Sequence, residues 1–329
     1  MGFFEQAKKD RKAPDRPTFS EDKHVATLQA IAKYSKPAQK GLENLEIEYN
    51  INRTTRLCLC LLPEWDPSFP PYNTAKLASA AKRAGYAVKS FDINVEAWDR
   101  YKTEKWQIPF NPWDPLRDWH WLPEHYFDDI HEYLQPLLDE KIKEIVEFKP
   151  DVVGFTLYYC NNAPTRYMAQ KIKEQIPNVT IMVGGPSTHS SYYKGDELFD
   201  YVVNGEGEQP LLLALASIEG KKGIQYTEKE TSKIIRQPEN QRYNLSTLPL
   251  PDYSDFDFQK YKFPNGALCE ISRGCIAKCT FCEETHFWKY RQRNATSTLD
   301  EIEHMYYEHG TNVFWFIDSL VNGNLNELR

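Results

Sequence analysis

No apolar run in the 329-residue chain approaches the ~18 residues that a membrane-spanning helix needs. Nothing in it reads as a signal peptide either, so a cytoplasmic protein is expected. There is no excess of positive charge: the formal net charge is −7, which argues against general nucleic-acid affinity. No GxGxxG follows the first strand candidate, which weakens a dinucleotide-binding reading. Seven cysteines in a chain expected inside the cell do not make a disulfide framework. Hydrophobic and charged contents of 41% and 26% are those of an ordinary globular protein, and the length suggests two domains.

Residues 1–50 form a polar leader without a strand pattern. Its first 40 residues hold nine Lys/Arg against five Asp/Glu, so a basic arm is the alternative. From 51 to 220 strand and helix patterns alternate. Strands are expected at Arg56–Leu62, Ala87–Ile93, Asp151–Leu157, Thr180–Val183 and Tyr201–Val203. Helices are expected at Thr74–Ala84, Asp128–Phe148 (with Pro136 a candidate kink), Ala163–Ile176 and Glu208–Ile218. Such alternation gives a parallel α/β sheet with right-handed crossovers. An aromatic insertion at 98–126 carries Trp98, Trp106, Trp113, Trp119 and Trp121, and reads as packing with a ligand-facing edge. Neighbouring His120, His125 and His131 lack the spacing of a compact metal site. Residues 221–262 read as a linker. A second strand–helix–strand series follows at Ala267–Ser272, Thr298–His309 and Val313–Asp318. Two strands cannot close a barrel, so residues 263–329 read as the first part of a domain cut short or completed by another chain.

Cys58 and Cys60 alternate inside the apolar run Leu57–Leu62 and read as buried strand residues; Cys160 reads as packing. Four cysteines remain. Cys275, Cys279 and Cys282 fall within eight residues, on a loop directly after a strand. Three thiolates can hold three irons of a four-iron cluster and leave the fourth iron open. A structural zinc site, or an electron-transfer cluster, would recruit Cys269 as fourth ligand. Cys269 lies inside the expected strand, six residues before Cys275, which suits neither well.

The pattern Cys275-x-x-x-Cys279-x-Phe281-Cys282 resembles the signature of the radical S-adenosylmethionine (radical SAM) superfamily. The resemblance extends to Ser272-Arg273-Gly274, Tyr290-Arg291-Gln292-Arg293, Leu299-Asp300-Glu301-Ile302, and Phe316-Ile317-Asp318 with Asn322 and Asn324. It implies a partial (β/α) barrel and a [4Fe-4S] cluster on the three cysteines. It also implies S-adenosylmethionine chelated to the open iron and cleaved to a 5′-deoxyadenosyl radical. An external electron donor such as flavodoxin or ferredoxin would feed the cluster. Phe281 would lie near the adenine. Arg291 or Arg293 is a candidate partner for a carboxylate, with surface salt bridging as the alternative. Asp318 is a candidate site residue at the barrel mouth.

The region in front resembles the cobalamin (vitamin B12)-binding Rossmann-like domain found upstream of one radical SAM class. The matching residues are Pro63 through Pro70-Pro71-Tyr72, Ala84-Gly85-Tyr86-Ala87-Val88 with Asp92, Val153-Gly154-Phe155-Thr156, Val183-Gly184-Gly185-Pro186 and Asn204-Gly205-Glu206-Gly207-Glu208. The resemblance implies cobalamin contacts from Thr156, Tyr158, Gly184, Gly185, Gly205 and Glu206, where strands hand over to loops. For the glycines, tight turns are the plainer alternative. No Asp-x-His-x-x-Gly occurs, which removes a histidine ligand below cobalt without excluding cobalamin; His189 reads as a loop hydrogen-bonder.

Together these point to a B12-dependent methyltransferase of the radical SAM type, acting on a small molecule, with no nucleic-acid or membrane partner. Two alternatives stay open: a radical SAM enzyme whose front domain is a cobalamin-free scaffold, and a non-catalytic cluster- or zinc-binding module.

Overall fold

The computed structural model describes residues 53–189, 196–219, 233–236, 244–282 and 289–326. The leader at 1–50 and residues 221–232 and 237–243 of the expected linker lie outside the described residues, as does the side chain of His189.

The apolar run at 57–62 is strand β1 (Arg56–Leu61), buried on both sides. Cys58, Cys60 and Leu62 face one core cluster while Leu57 and Leu59 face the other. That two-sided burial is what a central parallel strand requires. The chain continues through α1 (Tyr72–Arg83), β2 (Ala87–Asp92), α2 (Ile93–Arg100), α3 (Pro123–Asp129), α4 (His131–Phe148), β3 (Val152–Thr156), α5 (Asn162–Gln175), β4 (Thr180–Gly184), β5 (Tyr201–Asn204), α6 (Glu208–Ile218) and β6 (Lys233–Arg236). Among the described residues these six strands form one parallel sheet in the order β2-β1-β3-β4-β5-β6. Residues of α4 and α5 fill one face of it, and residues of α1 and α6 the other. The winding reverses between β1 and β3, which opens a crevice beyond their carboxyl ends.

The helix expected over 128–148 breaks at Ile130 into α3 and α4, and Pro136 sits inside α4 without ending it. In the aromatic insertion, Trp113 and Trp121 are buried in the core. Their indole nitrogens donate to Asn94 Oδ1 (2.9 Å) and Pro112 O (2.6 Å). His120 lies flat on Phe110, 3.7 Å between centroids, with Nδ1 2.5 Å from Asp129 Oδ2.

The second half of the expected linker is built into the core. Tyr253, Phe256 and Phe258 pack with Tyr72 and Ala75 of α1. Asp92 caps α2 by accepting from Val95 N (3.0 Å), and its other oxygen accepts from the Tyr261 hydroxyl (2.7 Å). Next come β7 (Gly266–Cys269), β8 (Ser272–Arg273), β9 (Arg291–Gln292), α7 (Ala295–His309) and β10 (Val313–Phe316). β7 and β10 pair in parallel, whereas β8 and β9 form an antiparallel ribbon. The single strand expected at Ala267–Ser272 is therefore two. The reason is Asp318, whose carboxylate accepts from the amides of Ile271 (3.0 Å) and Ser272 and so interrupts the ladder. No helix among the described residues is long and apolar enough to cross a membrane.

Candidate functional site

A cavity of about 610 Å³ occupies the crevice beyond the sheet. Thr156 ends β3 and Tyr158 follows it, Gly184 ends β4 and Gly185 follows it, and Gly205 and Glu206 follow β5; all six line it. Leu59, Met182, Val203 and Leu211 give it an apolar floor, and Asn73, Thr156 and Ser272 contribute polar groups. The Asn73 amide reaches the Thr156 hydroxyl at 3.4 Å. Tyr158 stacks on Trp65, with ring centroids 4.0 Å apart. Buried Asn161 braces this corner: its amide donates to Leu62 O (3.2 Å) and Thr156 O (3.0 Å), and its carbonyl accepts from Tyr158 N (2.9 Å). None of the residues lining the cavity belongs to the aromatic insertion, so 98–126 gives no edge to it.

The glycines differ in what they do. Gly185 has φ +114°, and a Cβ there would stand 2.6 Å from the Leu157 carbonyl oxygen, so the backbone packing itself demands glycine. Gly205 has φ +97° with nothing within 4 Å of a built Cβ.

The far wall comes from the back of the chain. Glu270, Ser272, Arg273 and Gly274 line the same cavity, and Cys275 follows them directly. Arg273 is ringed by carboxylates: Nη2 lies 2.6 Å from Glu208 Oε1, Nε 2.7 Å from Glu270 Oε1, and Nη1 3.2 Å from Glu206 Oε2. Burial alone would raise the Glu208 carboxyl, but the Arg273 guanidinium overrides it and holds the group below its ordinary value. At Glu270 burial wins and the carboxyl sits above its ordinary value. Lys76 of α1 also reaches the cavity wall. Its ammonium turns away to Pro249 O (2.6 Å) and Glu301 (3.3 Å), and burial lowers its pKa.

Two of the residues expected around S-adenosylmethionine, Arg291 and Asp318, are engaged by the polypeptide itself. Arg291 on β9 forms a two-pronged pair with Glu206, so its guanidinium is turned to the sheet's own loop. Asp318 is turned to the backbone of 271–272, with Ser272 Oγ also 2.7 Å from it. Phe281 is 89% exposed. Cys275 and Cys282 are half-buried and Cys279 is exposed, and none of the three is in a disulfide. They fit an iron–sulfur cluster in kind and spacing. Their loop turns back on itself where Cys282 N donates to Cys279 O (3.2 Å). No three Cys, His, Asp or Glu side chains among the described residues converge as a metal site, so the three sulfurs share a loop but not a point. Cys269 is buried beside Glu301; burial pushes its thiol up to about 12, which disfavours the thiolate a metal ligand needs.

Sequence reading missed the cavity roles of Lys76, Glu270 and Arg273. Lys76 had a signal, a lone charge between the small residues Ala75 and Ala78 of a buried helix face.

Comparison with known proteins finds similarity in a family, in individual relatives and in solved structures. The B12-binding domain family matches residues 125–215. Cytidylyl-2-hydroxyethylphosphonate methyltransferase of Streptomyces wedmorensis is 24% identical over 79% of this chain and 52% of its own length. Anaerobic magnesium-protoporphyrin IX monomethyl ester cyclase of Rubrivivax gelatinosus is 27% identical over 55% of this chain and 36% of its own. The chain thus spans about half or less of the length of these relatives. Among solved structures, the radical S-adenosylmethionine methyltransferase TsrM from Kitasatospora setae shares the fold. Its TM-score is 0.55 at 19% identity, over 83% of this chain and 49% of that one. Strands β3, β4 and β5, whose carboxyl ends line the cavity, lie within the residues that the B12-binding domain family matches, and the chain shares its fold with TsrM.

Proposed function

We propose that this chain is the cofactor-assembling part of a B12-dependent radical SAM enzyme, with methyl transfer to an unactivated carbon of a small molecule as its reaction. One observation carries the reading. A single cavity is lined both by the loops after β3, β4 and β5 and by the three residues that lead into Cys275.

The apolar floor and the polar groups from Asn73, Thr156 and Ser272 suit a large, flat, amide-fringed group such as cobalamin. Gly205 leaves room for such a group to approach backbone. Cys275, Cys279 and Cys282 would hold a four-iron cluster, with one iron left for the amino and carboxylate groups of S-adenosylmethionine. When bound, the reduced cluster supplies the electron that cleaves S-adenosylmethionine, and cobalamin supplies a methyl carrier. The protein's own residues position and shield these groups. Phe281 is the adenine neighbour on the cysteine loop. Asp318 and Arg291 support the site through the backbone and through Glu206. A flavodoxin- or ferredoxin-like protein is the proposed electron donor. The names of the relatives favour methyl transfer and also include a cyclase.

The test is metal and cofactor analysis of the full chain, purified and reconstituted without oxygen. About four irons per chain support the reading, as do extractable cobalamin and release of 5′-deoxyadenosine on reduction with S-adenosylmethionine. Iron without cobalamin would point to a scaffold role for the front sheet. Stoichiometric zinc without iron would overturn the proposal.

A further inference from the structure

Arg273 and Arg291 sit directly opposite each other in the β8–β9 ribbon. Like charges placed across a strand pair repel and destabilise it. This ribbon has only two residues per strand, too short to hold its shape alone. Glu206 lies between the two guanidinium groups: both terminal nitrogens of Arg291 reach it, and Arg273 Nη1 stands 3.2 Å from its Oε2. Glu208, two residues on, takes Arg273 at 2.6 and 3.2 Å. Both glutamates are buried, with side chains 1% and 6% exposed. Glu206 lies in the loop after β5 and Glu208 opens α6, both at the edge of the cavity in the front sheet. The next turn after Arg273 is Gly274, at φ +78°, and then Cys275.

We infer that Glu206 and Glu208 are positioning residues that latch the ribbon, and with it the root of the cysteine loop, to the carboxyl edge of the parallel sheet. Glu206 is a counter-ion shared by the two arginines that face each other. Its two-pronged contact fixes direction as well as distance. Glu208 is the lesser member, because Glu270 also neutralises Arg273 from within the back segment. The inference rests on the proposed function only for what the cavity and the loop hold; the latch is a property of the polypeptide.

Hydrogen exchange on the full chain without cofactors tests the latch directly. In Glu206→Gln, amides at 271–273 and 291–293 should exchange about tenfold faster or more, with β1 and β3 unchanged. The double variant Glu206→Gln/Arg291→Gln removes the facing charge as well, and should recover much of the protection. Unchanged exchange in Glu206→Gln, or a double variant no better protected than the single, would overturn the inference. Should Glu206→Gln fail to fold, Arg291→Lys keeps the charge and loses the fork, with an increase of about threefold expected and no increase overturning the latch. On the reconstituted chain, the magnetic interaction between reduced cluster and cob(II)alamin should spread over a wider range of distances in Glu206→Gln. If the unaltered chain takes up neither iron nor cobalamin, the proposed function fails, and the exchange result still decides the latch.

Discussion

Tyr72 and Glu301, 229 positions apart, share a buried hydrogen bond in which the Tyr72 hydroxyl donates to Glu301 Oε1 at 2.8 Å. The other oxygen of the same carboxylate takes Arg293 Nη1 (2.8 Å) and Lys76 Nζ (3.3 Å). Helix α1 of the front sheet and helix α7 of the back segment are therefore joined through one charge.

Removing that charge should be severe. Glu301→Ala leaves Lys76 and Arg293 buried without their carboxylate, a loss of about 3–5 kcal/mol. Tyr72→Phe deletes a single donor and should cost about 1–2 kcal/mol. Urea denaturation measures both. A Glu301→Ala loss smaller than that of Tyr72→Phe would mean the carboxylate is not the hub.

This hub marks where sequence reading stopped. The strand–helix alternation of the front sheet was legible because each element carries its own hydrophobic period, as in Leu57–Leu62 or Glu208–Ile218. The cavity residues Thr156, Gly184, Gly185 and Gly205 were legible because strand ends in a parallel sheet gather at one edge. Partners were not legible. Arg291 read as a carboxylate binder for a ligand, yet its carboxylate is Glu206, 85 positions earlier. The split between β7 and β8 depends on Asp318, which arrives 47 residues after Ile271. The aromatic run through Tyr253, Phe256 and Phe258 read as linker because irregular backbone shows no period, although its rings are core.

Two glycines at the cavity edge should respond differently to alanine. Gly185→Ala meets the Leu157 carbonyl and an unfavourable φ together, and should lose about 1–3 kcal/mol of stability plus the added clash. Gly205→Ala carries only the backbone strain, about 1–2 kcal/mol, and places its methyl at the cavity wall. Thermal melting should therefore fall further in Gly185→Ala. Equal losses would show that the close approach to Leu157 is relieved at no cost.

Asp92 should make stability depend on pH. Burial pushes its carboxyl up to about 6, against the lowering effect of the Tyr261 hydroxyl and the Val95 amide. The folded value lies above that of the unfolded chain, so the folded state binds the proton more tightly. That contribution is full at low pH and is lost as pH rises through about 6. The span from 3.8 to about 6 limits it to about 3 kcal/mol. Asp92→Asn keeps an acceptor for Val95 and cannot ionise. The unaltered chain should gain on Asp92→Asn as pH falls from about 7 to about 4. A gap that is constant across this range, or that moves the other way, would place the titration elsewhere.

The cysteines give the sharpest separation between fold and chemistry. Cys279 is exposed, and Cys275 and Cys282 lie on a loop outside the three sheets of the described residues. Replacing any of the three by alanine should leave the unfolding free energy within about 0.5 kcal/mol of the parent, as for surface substitutions generally. The same replacements should remove most of the iron taken up on reconstitution, because two thiolates hold a four-iron cluster poorly. Cys60 and Cys269 should behave in the opposite way. Both are buried, and burial raises both thiols far from ionisation at neutral pH. Cys60→Ser puts a hydroxyl into the apolar core beside Leu62 and should destabilise the chain by about 1–3 kcal/mol. Cys269→Ala should keep its full iron content while shifting the melting temperature, since its neighbour is the Glu301 hub rather than the cysteine loop. Iron lost from Cys269→Ala in proportion to that lost from Cys275→Ala would make Cys269 a fourth ligand. It would also close the open iron on which radical chemistry depends.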